Sequence, residues 1–276
     1  LIFALQMRNF PVLPGVSGHL MGGALAAILL GPWMGAVVVS VVVIVQALFF
    51  ADGGISALGI NVANIALITA FVAWPVFRGM LRVLPKTRLS AMAAAMVSAF
   101  VSVLAGCFAF VLEYALGGVG GAPIGAVFGA MTGVHALIGI GEGLITATAL
   151  GTVLAVRPDL VEGVSDLELT GTETVPTGRA VTTFVLTGLA VAVALVVFVA
   201  PFASPHPDGL ETVAEETGFA EAAQEHPIGG PLADYQVAGV ESETVGTIVS
   251  GIVGTVIAFA IGLGVVAVGR RRARSA

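Results

Sequence analysis

The sequence predicts an all-α fold: a polytopic integral membrane helical bundle with a C-terminal two-helix hairpin carrying an acidic extracytoplasmic loop. Three observations lead there. Of 276 residues, 57% are hydrophobic and 10% charged, where a soluble domain carries about 25% charged residues; the mean hydropathy is +1.05. The few charges are clustered, which leaves several uncharged stretches of the roughly 20 residues that a helix needs to cross the hydrocarbon. In lipid the backbone must satisfy its own hydrogen bonds, so apolar runs of this length are helices. Runs such as Val37 to Val45 lack the alternation of a membrane β-strand.

The elements follow from apolar runs and the turn residues between them. Leu1 to about Arg8 reads as the end of a helix already under way, which predicts a further piece ahead of Leu1. Asn9-Phe10-Pro11 with Pro14-Gly15 makes a turn. Gly18 to Leu30 is a short helix ending at Gly31-Pro32. Trp33 to Phe50 is a span, stopped by Asp52-Gly53-Gly54, and Ile60 to about Leu81 is another, followed by a basic loop from Arg78 to Arg88. Ser90 to Ala115 spans again. Ala122 to Val156 is too long for one straight span, at about 52 Å for 1.5 Å per residue against a core of roughly 30 Å. It is expected to break or re-enter near Gly129, Gly133, Gly139 or Gly141. Ala180 to Ala200 and Val245 to Val268 are the last two spans. Cys107 has no second cysteine to pair with and reads as a small packing residue.

Positive charge sets the orientation. Arg78, Arg82, Lys86 and Arg88 form one group, Arg157 and Arg179 a second, and Arg270, Arg271, Arg272 and Arg274 a third. One alternating path puts all three on the cytoplasmic side, C-terminus included. The segment 204–244, with nine carboxylates and no Lys or Arg, then faces outward. The expected location is the plasma membrane, multi-pass. Counting back about 22 residues from Arg157, or about 33 Å, places His135 near the outer boundary, where the turn before His19 also opens.

Ionisable groups at membrane depth are costly and mark function. That selects His19, His135, Glu142 and Glu113. His19 lies in Ser17-Gly18-His19-Leu20-Met21-Gly22-Gly23, at the predicted start of the short helix. Neutral imidazole is a common nitrogen ligand for nickel, cobalt and zinc; the alternative is a histidine satisfied by a neighbouring carbonyl. Glu142 follows His135 by two helical turns, about 10 Å, on one face. It is placed either to orient a ligand or to bond a neighbouring helix. His206 and His226, in the acidic segment, read as solvated. The chain has no GxxxxGK[ST] loop, HExxH or GxSxG elbow, and its small-xxx-small patterns mean close helix packing. Few basic residues outside the tails leave no nucleic-acid footprint. Spacing alone therefore supports a membrane transporter or receptor with an outward-facing site, without naming the solute.

Longer motifs add the solute. Asn9-Phe10-Pro11-Val12, Gly15-Val16-Ser17-Gly18-His19-Leu20 and Leu29-Leu30-Gly31-Pro32-Trp33 resemble the CbiM/NikM family, the substrate-capture (S) components of energy-coupling-factor importers for cobalt and nickel. The resemblance continues through Gln46 to Phe50, Asp52-Gly53-Gly54, Gly59, Asn61 and Asn64. It resumes at His135-Ala136-Leu137-Ile138-Gly139-Ile140-Gly141-Glu142-Gly143. It implies a metal held by an N-terminal Met-His (amine, amide and imidazole) together with one further histidine, which matches His19. The Met-His start has no counterpart in this sequence. Pro207-Asp208-Gly209-Leu210-Glu211, with Val213-Ala214 and Gly218-Phe219, resembles the PDGLE domain, related to the small CbiN/NikN subunit.

The resemblance implies a membrane domain at 1–157, a cytoplasmic linker at 158–178 and a PDGLE/CbiN-like domain at 179–276. The function it implies is capture of Ni2+ or Co2+ from outside and delivery inward, coupled to a transmembrane coupling protein and two separate ATPases. No cofactor is held permanently, and the chain is not itself an enzyme. His19 is the expected metal ligand and His135 a further candidate; Asn9, Glu142 and Asn64 are candidates for shaping or gating the site. Two alternatives are a non-transporting membrane metal sensor or assembly module and an S component for an organic solute. Only two Trp and two Tyr weigh against the latter.

Overall fold

The computed structural model describes every residue except Arg8, Glu168, 170–178, Ala203, Pro205, 223–229 and Ala276, and no side chain at 179–181, 222 or 270–275. His226, Arg8, the second half of the predicted linker apart from Leu169, and the side chains of Arg179 and the C-terminal arginines therefore lie outside the described residues. Six described helices are long and apolar enough to cross a membrane: Pro32–Phe49, Leu58–Val83, Arg88–Gly117, Ile124–Val156, Thr182–Phe202 and Glu243–Gly269. Large apolar side chains such as Trp33, Leu112, Leu144, Leu186 and Leu263 stand exposed along them, as lipid-facing surfaces require.

The chain begins with α1 (Ile2–Gln6), then β1 (Phe10–Leu13) and β2 (Val16–Gly18), an antiparallel pair around the Pro14-Gly15 turn. The predicted turn is thus the tip of a small hairpin. Strands of three and four residues are too short to show a period, and Gly15, at φ +82°, supplies the left-handed turn residue.

Next comes α2 (Gly23–Leu30), followed by α3 (Pro32–Phe49). His19 stands before α2, because Gly22 is left-handed at φ +76° and the helix starts only behind it. At eight residues, about 12 Å, α2 cannot span; Ala24, Leu25, Ala26, Ala27 and Ile28 are all fully buried. It is the central pillar of the bundle. A Cβ on Gly35 of α3 would stand 2.6 Å from Ala27 N, so the two backbones touch as small-residue membrane packing allows.

The third span combines α4 (Leu58–Asn61), a π-helical stretch (Val62–Ile68) and α5 (Thr69–Val83). Then α6 (Arg88–Gly117) and α7 (Ile124–Val156) form the most extensive helix pair. The break predicted between 122 and 156 is absent: α7 runs unbroken for 33 residues. Breaking it in lipid would strand backbone hydrogen bonds, and its glycines serve close packing instead. A Cβ at Gly139 would lie 3.0 Å from the Phe100 ring, at Gly143 2.8 Å from Met96 O, and at Gly151 2.8 Å from Met92. The helix is about 20 Å longer than a 30 Å core, a surplus that tilting or projection beyond the core can take up.

After α7, turns at Pro158–Leu160 and Glu162–Val164 fold back onto the bundle. Val161, Val164 and Leu169 are buried with Ile28, Phe77, Leu81 and Leu154, and Arg78 forms a two-pronged ion pair with Asp166. At this basic end, the first part of the expected linker is built into the core. Finally α8 (Arg179–Phe198) and α10 (Glu243–Ser275) form the C-terminal hairpin, with α9 (Gly209–Thr217) in the acidic connection. That connection lies across the hairpin end of the bundle. Val213 of α9 is buried with Cys107, Val111, Val127 and Met131.

Candidate functional site

The candidate site forms where the β1–β2 hairpin, the start of α2, one stripe of α7 and the N-terminus of α9 meet. The stripe is His135, Ile138 and Glu142, spaced by three and four residues and hence on one face of α7. A Cβ on Gly18 would stand 2.6 Å from Ile138 Cγ1, and one on Gly141 would stand 2.6 Å from the Phe10 ring. The absence of a side chain at both positions lets the hairpin lie directly on α7.

Glu142 fixes the segment after His19. It is fully buried; its Oε2 accepts Met21 N–H at 2.6 Å and its Oε1 accepts Gly22 N–H at 2.8 Å. These are donors at the start of α2 that have no partner within the helix, and a carboxylate there also opposes the positive end of the helix dipole. Gln6 Nε2 donates to Met21 O at 2.5 Å. The next carbonyls and amides are thus held from two sides.

The acidic connection fixes the segment before His19. Ser17 N–H donates to Pro207 O at 2.9 Å, its hydroxyl reaches His206 O at 2.7 Å, and Ser204 N–H donates to Asn9 O. His19 Nδ1 then meets Asp208 Oδ2 at 3.2 Å, with the two side chains 32% and 20% exposed. The other Asp208 oxygen accepts Leu210 and Glu211 N–H, both at 2.9 Å, while Glu211 Oε2 accepts Asp208 N–H. This is a capping box on α9. Gly209 completes the contact, since a Cβ there would stand 2.6 Å from Ile138 Cδ1 and 3.2 Å from His135 Cε1. Burial alone would lower the His19 pKa, but the Asp208 carboxylate outweighs it and holds the imidazole up to about 9. Burial would likewise raise Asp208, but its bond to His19 and the backbone N–H groups hold it down to about 2.

The predicted residues are therefore brought together unevenly. His19 and Glu142 bracket one short segment. His135 sits under α9, buried, with Nδ1 hydrogen-bonded to Met131 O of its own helix at 2.9 Å. Asn9 contributes a backbone carbonyl, and its side lines an apolar cavity of about 360 Å³ with Leu5, Phe10, Ile145 and Leu195. Asn64 is elsewhere in its bonding: buried in the π-helical stretch, it donates to Glu113 Oε2 at 2.8 Å. His206 is exposed, as read from the sequence. Among the described residues no group of three or more His, Cys, Asp or Glu side chains is placed to hold a metal ion. Asp208 was not anticipated as a partner of His19. Its D-x-x-E capping signature was readable in the sequence, but nothing local connects it to a histidine at the other end of the chain.

A second docking point covers the end of α3. Leu232 N–H donates to Phe49 O and Asp234 N–H to Phe50 O. Tyr235 hydroxyl donates to Asp52 Oδ2 and accepts from Gln46 Nε2 at 3.1 Å, while its ring stacks on Phe50.

Comparison with known proteins supplies the context. Residues 1–160 match the family described as cobalt uptake substrate-specific transmembrane region, CbiM, and residues 182–271 match the PDGLE domain. An Archaeoglobus fulgidus protein, provisionally named fused nickel transport protein NikMN, is 36% identical over 262 residues, covering 95% of this chain and 81% of that one. A Haloquadratum walsbyi protein, provisionally named a metal transport protein, is 40% identical over 160 residues, covering 58% of this chain and 71% of that one. A crystal structure described as that of a transition metal transporter is 32% identical with a TM-score of 0.46, covering 55% of this chain and 70% of the other.

Proposed function

Because the chain belongs to the CbiM family of cobalt uptake substrate-specific transmembrane regions, with a PDGLE domain behind it, we propose that it captures Ni2+ or Co2+ from outside the cell and delivers it inward. In this reading it is the substrate-capture component of an energy-coupling-factor importer. A transmembrane coupling protein and separate ATPase subunits supply the power stroke. The basic end of the bundle is cytoplasmic and the acidic connection 204–244 is outside, in accord with the distribution of Lys and Arg. Residues 1–157 form the capture domain, 158–178 the connection, and 179–276 the PDGLE part.

The observation that carries the reading is the placement of His19. Among the described residues its imidazole is the one partly exposed histidine ring set on a segment fixed from both sides, by Ser17 before it and by Glu142 after it. A nitrogen donor held in that way suits Ni(II) and Co(II), whose selection depends on ligand type and geometry. Glu142 acts through the backbone at Met21 and Gly22. His135 supports α9 from below, Asn9 ties the hairpin to the connection, and Asn64 with Glu113 braces the flanking helices.

Uptake of radioactive nickel and cobalt by cells making this chain together with the coupling and ATPase subunits tests the reading. Accumulation that depends on all components and is lost in His19→Ala is expected. Accumulation unaffected by His19→Ala would remove His19 from the ligand set.

A further inference from the structure

We propose that Asp208 is a positioning residue for metal capture: it holds the His19 imidazole by Nδ1 and so presents Nε2 to the ion. The inference rests on the reading of His19 as a metal ligand.

The geometry supports it from three directions. First, the contact engages Nδ1 at 3.2 Å, and among the described residues Nε2 has no partner. Second, Asp208 is itself immobilised. One oxygen accepts two N–H groups at the start of α9, its backbone N–H is bound by Glu211, and Gly209 seats the helix on Ile138 and Val134. Swinging the carboxylate out to ligate an ion directly would uncap α9, so it serves as a fixed acceptor. Third, the backbone on either side of His19 is held by Ser17 and by Glu142. The ring torsions are then the freedom left to the ligand, and Asp208 removes it. A ligating histidine that gives its other N–H to a carboxylate has a set ring orientation and a more basic donor nitrogen. The ligand comes from the first domain and its orienting group from the PDGLE segment, so docking of the second domain prepares the site in the first.

The test compares Asp208→Asn with Asp208→Ala and His19→Ala in the full chain in detergent. Asparagine caps a helix as well as aspartate does but brings no charge to the imidazole. Nickel binding, hydrogen exchange of the α9 amides and the NMR signal of the Nδ1 proton are read together. With only four histidines in the chain, labelling them with nitrogen-15 gives a spectrum in which His19 is assigned by its loss in His19→Ala. The expected result for Asp208→Asn is loss of the low-field Nδ1 proton, α9 exchange unchanged, and nickel affinity down about 10–100-fold. Wild-type affinity in Asp208→Asn with binding abolished in His19→Ala would overturn the role of Asp208 alone. An affinity loss in Asp208→Asn accompanied by α9 exchange as fast as in Asp208→Ala would reduce Asp208 to a structural cap. Wild-type binding in His19→Ala would instead overturn the capture reading beneath it.

Discussion

The carboxylate of Glu142 accepts the backbone N–H of Gly22 at 2.8 Å, so that α7 closes the buried start of α2 three residues beyond His19. The companion bond to Met21 uses the second oxygen. Glu142→Gln keeps one acceptor and turns an amide N–H toward the other backbone donor. Leaving a buried donor unpaired costs about 1–3 kcal/mol, so the thermal unfolding midpoint in detergent should fall by that equivalent, and nickel affinity should fall with it. An unchanged midpoint would mean that the start of α2 finds other partners.

Gly209 is the residue through which α9 reaches α7. Gly209→Ala would push a methyl to 2.6 Å from Ile138 Cδ1 and 3.0 Å from Val134 Cγ1, lifting Asp208 away from His19. Faster hydrogen exchange across α9 is expected, with recovery in the double variant that also carries Ile138→Val. No change in exchange would show that α9 does not depend on this contact.

Docking of α9 should depend on pH through the His19–Asp208 pair. His19 is raised from 6.5 to about 9, so its contribution is fully present below 6.5 and lost as pH rises through about 9. Asp208 is lowered from 3.8 to about 2, so its contribution is present above 3.8 and lost as pH falls through about 2. The clamp is therefore firmest between 3.8 and 6.5 and weakens toward alkaline pH. Exchange of α9 amides, corrected for intrinsic rates, should show that loosening in the wild type and a flat response in His19→Ala.

Tyr235→Phe tests the second docking point. The ring contacts with Phe3 and Phe50 remain, but Gln46, which is buried, loses its acceptor and Asp52 its donor. A loss of about 1–3 kcal/mol is expected from the stranded amide, read as a lower unfolding midpoint. A neutral result would mean that water or the Asp52 carboxylate replaces the hydroxyl for Gln46.

Much of this was legible in the sequence, for identifiable reasons. The spans were readable because an uncharged run of about 20 residues has one stable answer in lipid. The hairpin was not, since Phe10–Leu13 and Val16–Gly18 are too short to display a period. The predicted break in α7 failed because Gly139 and Gly141 were read as weak points of a helix, whereas they are the surfaces on which Phe100 and Phe10 rest. In the site, His19 and Glu142 stood out as ionisable groups in apolar surroundings. Asp208 did not, because one carboxylate among nine in a polar segment is marked only by the contact it makes across the fold.

The most direct test of the account is X-ray absorption at the nickel edge of the nickel-loaded chain, wild type against His19→Ala. Imidazole scattering around the bound ion is expected in the wild type, with its reduction or loss together with the ion in His19→Ala. An identical nickel spectrum and stoichiometry in the two proteins would contradict it.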